Sequence, residues 1–265
     1  MTRRHGNDEL LVSYDGPVVE VVFNRPHRHN AFTTAMYGAL EALFADLAAR
    51  PDVRVVVMRG AGSVAFAAGN EISEFATMST GREAVAYESR VRELLMALYR
   101  LPQVSVAAID GLCVGGGLAV ATYCDLRVCT AASRFGYPIA RTLGNALSRP
   151  LLERCVHVFG ESLSREMLLA SRMVDAHRAY GVGAVMQVAA TSTELEAQVQ
   201  AIVEGLIQAA PLTLQATKEQ LREITASQAD PERDERLLES VYASDGFKEG
   251  VRAFLAKEQP RFGAG

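Results

Sequence analysis

The chain lacks any apolar run of the roughly 18 residues that a membrane-spanning helix needs. Its first ten residues have no apolar core, so we expect no secretory signal peptide. Basic residues are scattered and the formal net charge is -4, so the sequence has no positive stripe of the kind that attracts nucleic acids or anionic membranes. We therefore expect neither a nucleic acid nor a membrane as a partner, and RNA binding is disfavoured.

Cysteine and histidine are also scarce. The four cysteines, Cys113, Cys124, Cys129 and Cys155, stand in apolar surroundings without the short regular spacings of a metal site. This pattern predicts buried, reduced thiols, as in a cytoplasmic protein. The histidines form no metal-like grouping either, so we expect no metal site.

Apolar sequence is abundant: 49% of the residues are hydrophobic and 22% are charged, which is typical of one main globular domain with a full core. Two short alternating segments, 10–14 and 18–23, predict a hairpin of strands around a turn. Continuous apolar runs predict buried strands at 53–58, 104–109 and 126–128. Apolar residues at helical spacing predict helices at 33–50 and 81–100, and the small residues of 60–69 predict a loop.

This alternation of strand and helix predicts an α/β fold with right-handed crossovers in a largely buried sheet. The pattern then changes to helices only, at 147–159, 193–210, 212–224, 232–243 and 247–258. Thr193 with Glu196, and Asp230 before Pro231, mark two of the helix starts. We divide the chain into an α/β core, 1–195, and a C-terminal helical region, 196–265.

Three consecutive glycines, Gly115 to Gly117, join a predicted strand to a predicted helix. A helix N-terminus has unpaired amides and a partial positive charge, and glycine lets a ligand approach the main chain. The junction therefore suits an oxygen that gains negative charge. A tight turn needed only for packing is the alternative. No acid or base lies in the first turns of this helix.

Four ordered segments together resemble the crotonase superfamily, also called the enoyl-CoA hydratase/isomerase family. They are Phe-Asn-Arg-Pro at 23–26 with Asn-Ala-Phe at 30–32, Phe-Ala-Ala-Gly-Asn-Glu-Ile at 66–72, the stretch 107–138 with its three glycines and Phe-Gly-Tyr-Pro, and 244–260. Their order and spacing match the family across nearly the whole chain. One triple glycine would be weak evidence, but four segments in order make chance agreement improbable.

The resemblance implies a crotonase-like spiral of ββα units and a helical C-terminal region that drives assembly as a homotrimer or a dimer of trimers. It also implies an acyl-CoA thioester as ligand, with coenzyme A entering as part of the substrate and no separate cofactor. Two backbone amides would hold the thioester oxygen as an oxyanion hole, and they map to Ala68 and Gly116. Residues that would bind the substrate are Arg25, His27, Gly69, Asn70, Glu71, Ile72, Gly115, Ala119 and Ile139.

The chain departs from the family at two positions. Hydratases of the family place one glutamate two residues after the triple glycine and another after the proline that follows Phe-Gly; here these positions hold Ala119 and Ile139. Hydration requires a base for the water and an acid for the carbon, and neither side chain moves a proton. A simple enoyl-CoA hydratase is therefore disfavoured.

Other residues are candidates for the missing chemistry: Arg141, Tyr137, Asn145, Glu74 and Glu88. Arg141 could hold an anionic acyl group in a bidentate contact or pair with a nearby acid. The alternative for Glu74 and Glu88 is a solvated helix position, and for Tyr137 it is packing.

Two hypotheses follow. The first is an enzyme that stabilises a thioester enolate during hydration, dehydration, double-bond isomerisation or decarboxylation of an acyl-CoA. The second is a CoA-thioester binding protein with little or no catalysis, a pseudoenzyme.

Overall fold

The computed structural model describes residues 6–76, 80–225 and 231–260. Its strands are β1 (Leu10–Asp15), β2 (Val18–Phe23), β3 (Val55–Gly60), β4 (Ala65–Ala68), β5 (Val104–Ile109), β6 (Leu112–Val114), β7 (Leu126–Thr130), β8 (Arg134–Gly136), β9 (Val174–Asp175) and β10 (Gln187–Ala189). Its helices are α1 (Thr34–Leu47), α2 (Ile72–Phe75), α3 (Gly81–Arg100), α4 (Gly116–Tyr123), α5 (Ile139–Thr142), α6 (Arg149–Leu169), α7 (Ala176–Gly181), α8 (Ser192–Gln208), α9 (Pro211–Thr225), α10 (Pro231–Tyr242) and α11 (Asp245–Ala256).

The strands form two sheets, between which the chain alternates. The larger sheet has the order β1-β2-β3-β5-β7-β10 and the smaller one β4-β6-β8-β9. After the antiparallel hairpin of β1 and β2, the larger sheet is parallel. The pairs β3 and β4, β5 and β6, and β7 and β8 each place one strand in each sheet before a helical segment follows. This repetition confirms the predicted α/β fold built as a spiral of ββα units.

The larger sheet is covered on both faces, which explains its continuous apolar strands. All six residues of β5 are buried, as expected for a parallel strand between two layers. One face packs against α8 through Val57, Val106, Leu195 and Val199. The other face belongs to the main core, which includes apolar residues of α1, α3 and α4. Within the described residues, no helix is both long and apolar enough to cross a membrane.

Several predicted boundaries need correction. The predicted loop 60–69 contains β4, whose four residues are too few to show a strand period. Helix α6 continues past its predicted end at 159, with a break at Gly160, where φ is 73°. Helix α8 is capped by Thr191, which accepts a hydrogen bond from the Glu194 amide at 3.1 Å, so the predicted cap at Thr193 is two residues late.

Two further predictions concern the C-terminal part. Helix α10 begins at Pro231, as the sequence predicts, while Asp230 lies outside the described residues. The predicted boundary between 195 and 196 falls within α8, which packs on the larger sheet. The division of the chain into two regions stays a prediction.

Helix α9 is attached to the core through a charged residue. Lys218 is its buried residue, and the Lys218 ammonium donates to Asp125 Oδ2 at 2.7 Å and to the Gln103 carbonyl at 2.8 Å. The same Asp125 oxygen accepts from the amide and the hydroxyl of Ser105, each at 2.8 Å. Burial lowers the pKa of Lys218, and the Asp125 carboxylate opposes that shift. This ion pair thus joins α9 to the sheet.

Replacing Asp125 with alanine is expected to lower the free energy of unfolding by about 3–5 kcal/mol, because it leaves the Lys218 charge buried and unpaired. Urea unfolding measures the effect. Asp52→Ala is the matched control, since Asp52 pairs with Arg50 at 2.7 Å but its side chain is 60% exposed. An exposed pair contributes about 0–1 kcal/mol. Equal, small losses in both variants would contradict this role of Asp125.

Candidate active site

A cavity of about 170 Å³ lies where the ends of β4 and β6 meet α3, α4, α5 and α11. Ten residues singled out in the sequence line it: Ala68, Gly69, Asn70, Ile72, Glu88, Gly115, Gly116, Ala119, Tyr137 and Ile139. They come from four separate stretches of the chain, which the two-sheet spiral brings together. Asn145, the other polar candidate, lines the same cavity.

The hydrogen bonds of the backbone amides correct the prediction that the Ala68 amide forms part of the oxyanion hole. The Ala68 amide donates to the His29 carbonyl at 2.9 Å, so it is already paired. The Asn70 amide, two residues later, has no hydrogen-bond acceptor within the described residues. Nor does the Gly116 amide have an acceptor there, because Gly116 is the first residue of α4 and its N–H precedes the first helical hydrogen bond. The unpaired donors are therefore Asn70 and Gly116, not Ala68 and Gly116.

These two amides belong to segments in direct contact. A Cβ atom placed on Gly116 would lie 2.6 Å from Asn70 Oδ1, and one on Gly115 would lie 3.2 Å from the Cα atom of Gly69. Gly115 also has a φ of +54°, which side chains rarely adopt. The Tyr37 hydroxyl donates to Asn70 Oδ1 at 2.6 Å and holds that side chain. Glycine is thus required for the loop after β4 to reach the start of α4.

Arg25 and Glu71 hold this loop instead of lining the cavity. The buried Arg25 guanidinium donates to Glu71 Oε2 at 2.9 Å and to the Ala31 carbonyl at 2.8 Å, and it pairs with Glu9 at 3.1 Å. Burial opposes ionisation of Glu71, but hydrogen bonds from Arg25 and Ser73 outweigh it and lower the pKa of Glu71. Arg25 and Glu71 therefore position this loop, and their predicted contacts with the substrate stay predictions.

His27 lies on the exposed turn Pro26–Arg28, outside the cavity. This position is also outside the network that anchors the Asn70 loop. The expectation that His27 binds the substrate stays a prediction.

Glu88 contributes a carboxylate to the cavity wall. It lies on α3, is only 7% exposed, and accepts a hydrogen bond from the Tyr242 hydroxyl of α10. Asn145 Nδ2 donates to the Tyr242 hydroxyl oxygen at 3.3 Å. Burial, and then the charge of Glu88, raise the pKa of Tyr242, so this phenol stays protonated. The alternative of a solvated helix position for Glu88 is wrong, because α10 covers it.

Two other candidates lie elsewhere. Glu74 accepts hydrogen bonds from the Thr34 amide at 3.0 Å and from the Thr34 hydroxyl at 2.7 Å, at the start of α1, and it does not line the cavity. Arg141 is exposed on α5, outside the cavity, and no carboxylate of the described chain pairs with it. Pairing of Arg141 with a nearby acid is therefore not seen, its contact with an anionic acyl group stays a prediction, and Glu74 is a helix-capping residue.

Sequence reasoning did not single out Tyr37 or Tyr242, and it named Asn70 only for ligand contact. Tyr37 follows an ordinary helical spacing, and Tyr242 is separated from Glu88 by 154 positions. No local motif links either tyrosine to its partner. Most of the remaining wall is apolar, and it includes Ala119 and Ile139 at the positions where the resemblance expects glutamates.

Comparisons with known proteins agree with this architecture. A family model described as enoyl-CoA hydratase/isomerase matches residues 14–265. The chain is 30% identical to 2,3-dehydroadipyl-CoA hydratase of Escherichia coli strain K12, with 96% of this chain and 98% of the relative covered. It is 27% identical to peroxisomal Delta(3,5)-Delta(2,4)-dienoyl-CoA isomerase of Arabidopsis thaliana, with 94% and 93% covered. A solved structure of methylmalonyl-CoA decarboxylase in complex with 2-nitronate-propionyl-CoA has a TM-score of 0.88 at 25% identity, covering 97% of this chain and 99% of that one.

Proposed function

The chain belongs to the enoyl-CoA hydratase/isomerase family, and on that premise we propose that it shifts the double bond of a 3-enoyl-CoA thioester, with Glu88 carrying the proton. One observation carries the proposal. Among the described residues, Glu88 is the carboxylate that shares the cavity with the unpaired amides of Asn70 and Gly116. A base and an oxyanion site are the two components that enolate formation requires.

The two amides stabilise the charge that develops on the substrate. When the proton leaves the α carbon, negative charge accumulates on the thioester oxygen. The amides of Asn70 and Gly116 donate to that oxygen, and the N-terminus of α4 adds a partial positive charge. Loss of one such donor costs about 2.7–4 kcal/mol in characterised oxyanion holes.

Glu88 moves one proton between two carbons. Its carboxylate takes a proton from the α carbon, which leaves a dienolate, and it gives a proton, exchangeable with solvent, either back to the α carbon or on to the γ carbon. The double bond moves from the β,γ to the α,β position, and no atom is gained or lost. Tyr242 holds the carboxylate through its hydrogen bond. The reaction needs no redox partner, and coenzyme A serves only as the carrier of the acyl group.

The charge of the cavity favours isomerisation over the other reactions of the family. Hydration would require a second group for the water, and Ala119 and Ile139 offer none. A malonyl-type substrate would place its carboxylate near Glu88, in a wall where the described residues include no lysine, arginine or histidine. Two neighbouring carboxylates repel each other strongly in a low-dielectric site. A neutral 3-enoyl group avoids both problems.

The proposal is tested by incubating the protein with 3-hexenoyl-CoA, crotonyl-CoA and methylmalonyl-CoA in D₂O. We expect 2-hexenoyl-CoA as product, observed by chromatography, and deuterium at the α carbon, observed by NMR. Turnover of crotonyl-CoA or methylmalonyl-CoA alone would replace isomerisation by hydration or decarboxylation. Binding of the thioesters without any exchange or product would instead support the non-catalytic alternative. Assembly as a homotrimer or dimer of trimers and a cytoplasmic location stay predictions.

A further inference from the structure

The main chain and the side chain of Asn70 are held by separate contacts. The Phe32 amide donates to the Gly69 carbonyl at 3.0 Å, and the Glu71 amide donates to the Phe32 carbonyl at 2.7 Å. Because the C=O and N–H groups of a trans peptide point in opposite directions, the Asn70 amide points away from the Phe32 backbone. The Tyr37 hydroxyl of α1 donates to the Asn70 side chain. Phe32 thus directs the main chain of Asn70, and Tyr37 directs its side chain.

The Asn70 side chain lies against the other amide of the proposed oxyanion site. A Cβ atom placed on Gly116 would lie 2.6 Å from Asn70 Oδ1 and 3.2 Å from the Tyr37 hydroxyl, so both side chains meet where α4 begins. The N-cap residue of this helix is Gly115, which has no side chain to accept from the first amides. Asparagine is among the residues that most readily cap a helix N-terminus. Asn70 Oδ1 is therefore an acceptor beside a helix start that glycine leaves uncapped.

The Tyr37 hydroxyl supplies the proton that this acceptor binds. The Tyr37 side chain is buried, and its hydroxyl lies 2.6 Å from Asn70 Oδ1. Burial raises the pKa of Tyr37, so the phenol stays protonated, and a hydrogen bond from Tyr87 opposes this rise. Because the Tyr37 oxygen accepts from Tyr87, its single proton is directed to Asn70. Without that proton, the neighbouring donor for Oδ1 is the Gly116 amide.

We propose that Tyr37 is a positioning residue that keeps Asn70 Oδ1 from capping α4, and so leaves the Gly116 amide free for the thioester oxygen. Oδ1 and the thioester oxygen are competing acceptors for the same N–H. Asparagine side chains readily form such local hydrogen bonds with backbone groups. This inference rests on the proposed function, in that the thioester oxygen binds at the amides of Asn70 and Gly116.

The test uses hexanoyl-CoA labelled with carbon-13 at the thioester carbonyl, a saturated thioester that cannot isomerise. Infrared difference spectroscopy measures the carbonyl stretching band of the bound thioester. Hydrogen bonds from the two amides weaken the C=O bond, so wild-type protein should shift the band below the frequency of free hexanoyl-CoA. In Tyr37→Phe the band should move back toward the free frequency. The kcat of Tyr37→Phe with 3-hexenoyl-CoA should fall by about tenfold, less than the 10²–10³-fold loss that follows complete removal of a donor.

A double variant shows whether the effect acts through Asn70 Oδ1. Tyr37→Phe keeps the aromatic ring, which stacks on Phe32 with ring centroids 5.3 Å apart. Adding Asn70→Ala to Tyr37→Phe removes the competing acceptor but keeps the backbone amide, and it should restore most of the band shift. A band that stays at the Tyr37→Phe frequency in the double variant would overturn the inference. A wild-type band in Tyr37→Phe itself would also overturn it.

Tyr99→Phe is the matched control. The Tyr99 hydroxyl also forms a hydrogen bond, 2.9 Å from Thr225 Oγ1, but Tyr99 lies outside the cavity. This control should keep the wild-type band. Should Tyr37→Phe fail to fold, the double variant is compared with Asn70→Ala alone. Their bands should coincide, because without Oδ1 the Tyr37 hydroxyl has no side chain to restrain, and different bands would overturn the inference.

These measurements separate the inference from the proposed reaction, because the band is recorded without turnover. A band shift that depends on Tyr37, in a protein that does not isomerise 3-hexenoyl-CoA, would reject the reaction and keep the inference. Isomerisation with a band shift that does not depend on Tyr37 would do the reverse. A bound thioester with the same band as free hexanoyl-CoA would overturn both.

Discussion

Replacing Glu88 with glutamine should slow both α-proton exchange and the double-bond shift by about 10²–10⁴-fold, the usual contribution of a positioned acid or base. Glutamine has the same shape, and its amide oxygen can still accept the hydrogen bond from the Tyr242 hydroxyl. The variant therefore removes proton transfer while it conserves packing. Exchange is measured by NMR in D₂O at saturating 3-hexenoyl-CoA, and binding of hexanoyl-CoA by calorimetry should remain close to wild type.

Glu74→Gln is the control for this experiment. Glu74 was an equal candidate in the sequence, but the structure places it at the start of α1, where it binds Thr34. This substitution should leave the exchange rate within about a factor of three of wild type, because Glu74 does not line the cavity. If Glu88→Gln exchanges at the wild-type rate, another group carries the proton and the proposed isomerase mechanism is wrong.

Replacing Gly116 with proline should lower kcat by about 10²–10³-fold, because proline has no N–H to donate to the thioester oxygen. Proline is compatible with the first position of a helix, where Gly116 lies. The substitution also introduces a Cβ atom 2.6 Å from Asn70 Oδ1, which would disturb the loop. An effect of proline alone would therefore combine two causes.

Gly116→Ala separates these causes, since alanine adds the same Cβ atom but keeps the N–H. The ratio of kcat between the alanine and proline variants reports the donor, and thermal unfolding of both checks the fold. Both variants carry the steric contact with Asn70, and we expect alanine to lose less activity than proline because it keeps the donor. Equal kcat values in the two variants would show that the Gly116 amide does not hold the oxygen, and the reduced activity would then come from steric contact alone.

The position of Tyr242 gives the C-terminal helices a role in the site. This residue ends α10, yet its hydroxyl contacts Glu88 of α3, and Phe254 of α11 lines the same cavity. Docking of α10 and α11 therefore changes the environment of the proposed base. The sequence alone suggested only an assembly role for this region, because the partners of Tyr242 lie far away along the chain.

Much of the framework was predictable from local pattern. Apolar periodicity, together with the glycine and proline residues that end helices and strands, predicts several elements. They are the hairpin of β1 and β2, the apolar strands β3, β5 and β7, and the helices α1 and α3. Strand β4 was not predictable in this way, because its four small residues carry no period and its conformation depends on pairing with β6. The start of α8 was misplaced because several hydroxyl residues near Thr191 could serve equally as a cap.

The features of the site also fall into those that the sequence predicted and those that only the tertiary structure shows. The amino-acid sequence by itself determined the family, the α/β spiral and the loop-to-helix junction where an oxyanion could bind, because these depend on residue types at fixed spacing. Only the tertiary structure decided that the Ala68 amide is paired with His29 while the Asn70 amide finds no acceptor among the described residues. It also decided that Glu88 lies in the cavity and that Glu74 and Arg141 lie outside it. The physical reason is that hydrogen-bond partners and burial come from segments distant in the chain, and no local pattern encodes them.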